Sequence, residues 1–273
     1  MTSKIIYNDG VFRVFVDIVN SDCNNFVVTF NYFYPEFEPI TVADREKNYV
    51  WGDGAYSKKG INQINVETRC CNYFISEKLD IIIDTIKNYI KKDAKILCIG
   101  TSMGGFGAIV FADKLEGDFI AFSPQYDEMI SYGVKKFLHS VDSNRGADIL
   151  FKKINNYLPS LPFVGNKFNS FVIYDPYAKD EGVFLDAKAA LNISEKFRCN
   201  LVPIPSALHS CVELINRYIG LANIAEKYFS GENIKEIFHK IGKHNADRKI
   251  KIAIVCSSNA IIKNNFAKFI PNY

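Results

Sequence analysis

The chain of 273 residues contains no apolar run approaching the roughly 18 residues that a membrane span needs. It also carries little excess charge. With 33 Lys and Arg against 30 Asp and Glu, the net charge is +3, too small to mark a nucleic-acid or membrane surface. Its four histidines and seven cysteines form no C-x-x-C or H-x-x-x-H pair, so neither zinc nor any other metal is expected. The cysteine count is odd, Cys70 and Cys71 are adjacent, and Cys98 lies in an apolar run; this is not a disulfide framework. The N-terminal stretch MTSKIIYNDGVFR meets an Asp and a Gly before an export-signal core can form. Together these absences point to a cytosolic protein whose cysteines are mostly small buried hydrophobes. There is no internal repeat and no low-complexity tract.

What is present is an ordinary globular composition, 48% hydrophobic and 23% charged, rich in Phe (22) and Tyr (15). Strand-like segments are expected at residues 11–18, 25–31, 61–68, 94–99, 118–122, 170–174 and 200–204. Helical spacing is expected over 75–92, 104–115, 184–192 and 211–219. This alternation predicts an α/β fold: a mostly parallel central sheet with helices on both faces, making three layers. Residues 1–220 are read as one domain, with an inserted, mainly helical region at about 126–168 broken near Pro159 and Pro162. Residues 221–273 are read as a helical C-terminal appendage. The long irregular stretch from Tyr34 to Gly60 holds Pro35, Pro39 and the single tryptophan, Trp51.

The stretch LCIGTSMGGFGAIV, residues 97–110, carries the chemistry. Gly100-Thr101-Ser102-Met103-Gly104 fits G-x-S-x-G between an expected strand and an expected helix. A sharp turn there puts a serine hydroxyl in the open at the sheet edge, and flanking glycines keep its neighbours clear. The helix N-terminus that follows favours developing negative charge. Gly100, Gly105 and Gly107 do not have G-x-G-x-x-G spacing, which sets a dinucleotide loop aside.

A nucleophilic serine needs a base, and the base needs an orienting carboxylate, in the chain order Ser, acid, His for such a turn. Of the four histidines, His139 falls in the inserted region, and His239 and His244 fall in the appendage. His209 alone follows a late strand (LVPIPSALHS) and precedes a helix, so it is the expected base. For the acid, the turn after SFVIY offers Asp175 and Asp180, with Asp180 preferred because it opens D-x-x-V ahead of a helix. Asp175, directly before Pro176, is the alternative.

From about residue 25 to 220 the chain resembles the α/β-hydrolase superfamily, on GTSMGG, YDPYAKDEGV and ALHS in that order, with a strand before each. More narrowly, GTSMGGFGA, AFSPQ, IYDPY and the basic helical tail look like hydrolase-like proteins of bacterial surface-polysaccharide gene clusters. The resemblance implies Ser102 as nucleophile, His209 as general base and Asp180 as its partner. It also implies an oxyanion hole from the backbone N–H of Met103 and that of Asn31 or Tyr32. FNYFYP stands where many lipases carry an HGG-type loop.

The implied activity is a serine esterase working through an acyl-enzyme on a glycan or small-molecule ester, with no cofactor. The alternative within the class is an O-acyltransferase modifying a surface polysaccharide, which would take an acyl donor such as acetyl-CoA. From a different class, a non-catalytic binding or scaffold subunit would keep the fold without the reaction. Tyr34, Trp51 and Tyr56 are candidates to stack on a sugar ring, against the plainer alternative of packing on the core.

Overall fold

A computed structural model of the protein describes residues 4–31, 54–68, 72–126, 169–178, 185–205 and 207–257. Eight strands form one sheet: β1 (Lys4–Asn8), β2 (Phe12–Asp17), β3 (Asn25–Phe30), β4 (Asn62–Thr68), β5 (Lys95–Thr101), β6 (Asp118–Phe122), β7 (Phe171–Tyr174) and β8 (Asn200–Pro203). Among the described residues there are six α-helices: α1 (Leu79–Lys87), α2 (Met103–Lys114), α3 (Leu185–Phe197), α4 (Cys211–Tyr218), α5 (Leu221–Phe229) and α6 (Ile234–Ser257).

The strand order is β1-β2-β4-β3-β5-β6-β7-β8. β1 and β2, and β2 and β4, pair antiparallel, while every pair from β4 to β8 is parallel. From β3 the chain runs outward to β4, then returns past β3 to β5 and continues toward β8. The connections therefore diverge between β3 and β5, and the crevice outside their carboxyl ends is where such sheets bind ligands. Ser102 immediately follows β5, at that point.

Each central strand is apolar on both faces because helices cover both. On one face Val28, Phe30, Ile64, Val66 and Cys98 pack with Ile82, Ile83 and Ile86 of α1, Phe106 and Phe111 of α2, and Ile193 and Phe197 of α3. On the other, Val27, Leu97, Ile99, Ile120, Phe122, Ile173 and Val202 pack with Ile215 of α4, Ile224 and Phe229 of α5, and Phe238 and Ile241 of α6. The stretch expected as an appendage thus contributes α5 and α6 to the second core.

Toward the antiparallel end the second face turns polar. Arg13 and Glu67 sit opposite each other across β2 and β4 and form a buried ion pair, Nη2 to Oε2 3.2 Å. Beside them Gln63 and Asn65 both donate to the Thr29 hydroxyl, at 3.1 and 2.9 Å. Among the described residues no helix is long and apolar enough to cross a membrane. Cys23, Cys98, Cys199 and Cys211 form no disulfide.

Candidate active site

Close backbone packing forces the turn at Ser102. A Cβ on Gly100 would lie 2.0 Å from the Gly104 carbonyl oxygen, and one on Gly104 would lie 2.7 Å from the carbonyl oxygen of Asn31. Helix α2 can start this close to β3 and β5 only with glycine at both positions. Ser102 between them takes φ 56°, ψ −122°, a conformation that costs a non-glycine residue roughly 1–3 kcal/mol. The neighbouring backbone fixes it there: Ser102 N–H donates to the Phe122 carbonyl at 2.9 Å, and its own carbonyl accepts from Gly105 and Gln125 N–H at 3.0 and 3.2 Å.

The second turn follows β8 and ends in a short 3-10 segment, Leu208–Ser210, which brings His209 over the serine. His209 Nε2 is 3.0 Å from Ser102 Oγ. On the far side of the ring, Nδ1 is 3.0 and 3.3 Å from the two carboxylate oxygens of Asp186. An ionised carboxylate only accepts, so Nδ1 carries a proton and donates it to Asp186, leaving Nε2 to accept from the Ser102 hydroxyl. The imidazole is 44% exposed and the Asp186 side chain only 3%, so the ring bridges solvent and the protein interior. Asp186 lies in the first turn of α3, where the helix dipole favours a negative charge.

A second buried carboxylate shapes the same turn. Asp175 accepts from the N–H of Leu208 at 2.7 Å through one oxygen and from Tyr177 N–H at 2.9 Å through the other. Leu208 is held in a left-handed conformation, φ 58°, immediately before His209. Below the turn, Cys211 donates to the Leu208 carbonyl at 3.4 Å. Burial pushes its thiol up to about 12, so this cysteine stays protonated and is not a competing nucleophile.

No protein-family profile matches the chain, and no characterised relative matches it by sequence. Solved structures do. A glycosylation-associated protein complex (Gap123) from Streptococcus agalactiae superposes at TM-score 0.57 and 18% identity over 80% of this chain, which spans only 44% of that one. The capsule O-acetyltransferase of Neisseria meningitidis serogroup A matches at TM-score 0.51 and 16% identity, covering 84% of this chain and 93% of its own. Candida antarctica lipase A matches at TM-score 0.50 and 13% identity, over 85% of this chain and 76% of its own. The chain has the α/β-hydrolase fold. At these identities the likeness extends to the fold and no further.

Within the hydrolase fold the structure places the expected residues unevenly. Ser102 and His209 lie within hydrogen-bond reach of each other across 107 residues of sequence. The carboxylate at His209 is Asp186, in place of the alternative acid Asp175. Asp175 spends its two oxygens on backbone N–H groups, and Asp180 lies outside the described residues, while His209 Nδ1 is already engaged by Asp186. The sequence did hold a signal for Asp186. The buried face of α3 consists of Leu185, Asp186, Ala189, Ala190, Ile193 and Phe197, and an acid on an otherwise apolar helical stripe calls for a partner.

For the oxyanion hole, Met103 is the first residue of α2, so its N–H has no carbonyl one helical turn back to bond. Asn31 directly follows β3 beside it. The Asn31 carboxamide is a two-way clamp: Nδ2 donates to the Thr68 carbonyl and Oδ1 accepts from Thr68 N–H, each at 2.9 Å. Tyr32, Tyr34 and Trp51 lie outside the described residues. Tyr56 does not offer a ring to ligand: it is 1% exposed in the second core, and burial raises the pKa of its hydroxyl. Of the other histidines, His244 on α6 packs edge-on against Tyr218 of α4. No group of three or more His, Cys, Asp or Glu side chains with metal-binding geometry occurs among the described residues.

Proposed function

We propose that the protein is a serine-dependent acyl-transfer enzyme, with Ser102 as nucleophile, His209 as general base and Asp186 as the carboxylate that orients it. The observation that carries this reading is the unbroken relay Asp186–His209–Ser102, with both hydrogen bonds at 3.0 Å. Ser102 Oγ attacks an ester or thioester carbonyl as its proton passes to His209 Nε2, and Asp186 stabilises the imidazolium that forms. The tetrahedral oxyanion accepts from the Met103 N–H and from a backbone N–H at Asn31 or Tyr32. Collapse expels the alcohol or thiol, which takes its proton from His209, and leaves an acyl-Ser102 ester. In the second half, water or an acceptor hydroxyl gives its proton to His209 and attacks that ester, regenerating the serine.

The base reading is hydrolysis, an esterase acting on a glycan or small ester. Transfer to a sugar hydroxyl is the second reading, favoured by the likeness to a capsule O-acetyltransferase. It would draw on an acyl donor such as acetyl-CoA as substrate. Neither requires a metal or a bound cofactor.

The test is p-nitrophenyl acetate turnover with intact-mass detection. The wild type should show a burst and an acetyl adduct on Ser102, and should be labelled there by a fluorophosphonate. Ser102→Ala should remove burst, adduct and label, and lower kcat by roughly 10⁴–10⁶-fold. A wild type that neither turns over ester nor takes the label would sink the enzyme reading in favour of a binding or scaffold role.

A further inference from the structure

Tyr73 and Phe74 are consecutive non-glycine residues in the left-handed region, at φ 52° and 60°, and both are buried. Two such residues in succession persist only where the surroundings hold them. Asn72 does so: its side-chain Oδ1 accepts from Phe74 N–H and its main-chain carbonyl from Ile75 N–H, each at 3.0 Å. Phe74 is set hard against α2, where a Cβ on Gly107 would lie 2.5 Å from its ring. Tyr73 is directed to two places at once. Its ring stands edge-on to Phe106, centroids 6.2 Å apart, and its hydroxyl donates to Gln125 Oε1 at 2.8 Å. The main-chain N–H groups of those same two residues both donate to the carbonyl of Ser102, Phe106 at 3.3 Å and Gln125 at 3.2 Å.

That carbonyl belongs to the same peptide as the Met103 N–H. A trans peptide is planar, so its C=O and N–H point in opposite directions and fixing the one aims the other. We propose that Tyr73 is a positioning residue for acyl transfer: through Phe106 and Gln125 it fixes the Ser102–Met103 peptide and so aims the Met103 N–H at the oxyanion. The inference rests on the acyl-enzyme reading given above. It accounts for a strained turn whose second member packs on α2 while its first reaches the nucleophile's own peptide. Tyr73 touches no reacting atom, so its effect belongs to the transition state, where the oxyanion exists, and not to ground-state binding.

The experiment measures the burst rate of acetyl-Ser102 formation from p-nitrophenyl acetate, and the affinity for a trifluoromethyl ketone, which adds to the serine to give an oxyanion. Tyr73→Phe keeps the ring and removes only the hydroxyl. It should slow the burst about tenfold, with the half-saturating ester concentration unchanged, and weaken the ketone by the same factor. Gln125→Leu, which keeps the backbone N–H and removes the acceptor, should do likewise. The double variant should be no slower than either single one, because both break the same bond. Tyr228→Phe removes a hydroxyl bonded to Asp118 at the start of β6, and should lower the melting temperature without changing the burst. A wild-type burst rate in Tyr73→Phe overturns the proposal. So do single losses that multiply in the double variant, or a burst slowed equally by Tyr228→Phe. If the wild type never forms the acetyl adduct, the acyl-enzyme reading itself falls and takes this inference with it, an outcome distinct from an adduct formed equally fast by all variants.

Discussion

The turn that carries Ser102 is held by backbone atoms in close contact, whereas the turn that carries His209 is held by two carboxylates distant in sequence. In the first, the tight contacts centre on two glycines within two residues of the serine, Gly100 and Gly104, and on the carbonyls they admit. In the second, Asp175 and Asp186 reach His209 and its neighbour across 33 and 23 residues. The steric device tolerates almost no substitution but needs no charge. The electrostatic device tolerates shape changes poorly too, yet fails by degrees, because each carboxylate does a separable task.

The largest expected effect breaks the steric side. Gly100→Ala places a methyl group 2.0 Å from a backbone oxygen that no rotamer can move, so the elbow must open. The expected result is loss of soluble protein, or destabilisation above about 3 kcal/mol in denaturant melts. A variant with wild-type stability would mean that the sheet and α2 separate more easily than the packing implies.

On the electrostatic side the next effect is Asp186→Asn, which keeps the shape but favours the wrong imidazole tautomer. It should cost about 10⁴-fold in kcat with a melting temperature close to wild type. Asp175→Asn sharpens the contrast. One of the two backbone N–H groups then faces an NH₂ in place of an oxygen, which should cost about tenfold in kcat by misplacing the turn. The pH dependence of kcat should stay as in the wild type, because the imidazole keeps its Asp186 partner. If Asp175→Asn instead equals Asp186→Asn in depth and alters the pH profile, the division of labour between the two acids is wrong.

The smallest effect concerns stability in alkali. Burial raises the Cys211 thiol from 9.0 to about 12, and the Cys199 thiol likewise from 9.0 to about 12. A raised folded-state pKa means that the unfolded chain releases its protons first. These groups therefore stabilise the fold fully below pH 9 and lose that contribution as pH rises toward 12. Melting temperature should fall over that window, and less steeply in Cys211→Ala. An equally steep fall in the variant would assign the loss to other groups.

The same contrast explains what was legible in the sequence. The Ser102 turn is local, so five residues and the periodicity around them were enough to place it. His209 was found from its position after a late strand. Asp186 was not, because the turn after β7 holds two nearer aspartates and Asp186 lies beyond it, in the first turn of α3. β1 also escaped, since it is an exposed edge strand whose side chains carry no buried alternation. Helix α1 was expected from residue 75 but begins at Leu79. Tyr73 and Phe74 ahead of it take φ 52° and 60°, which ends any helical approach from that side.

Helix α6 has one further consequence. It lies so close to β8 that a Cβ on Gly242 would come 3.3 Å from the Pro203 carbonyl, and the buried Asn245 donates to the Pro205 carbonyl at 2.7 Å. Pro205 stands four residues before His209 and two past β8, the terminal strand, which among the described strands pairs with β7 alone. The histidine therefore hangs from the part of the sheet with least support, while the serine sits near the middle. On slow heating the two should part company: esterase turnover fades while the central strands still protect their amides from deuterium, and cooling from that point restores activity without refolding the whole chain.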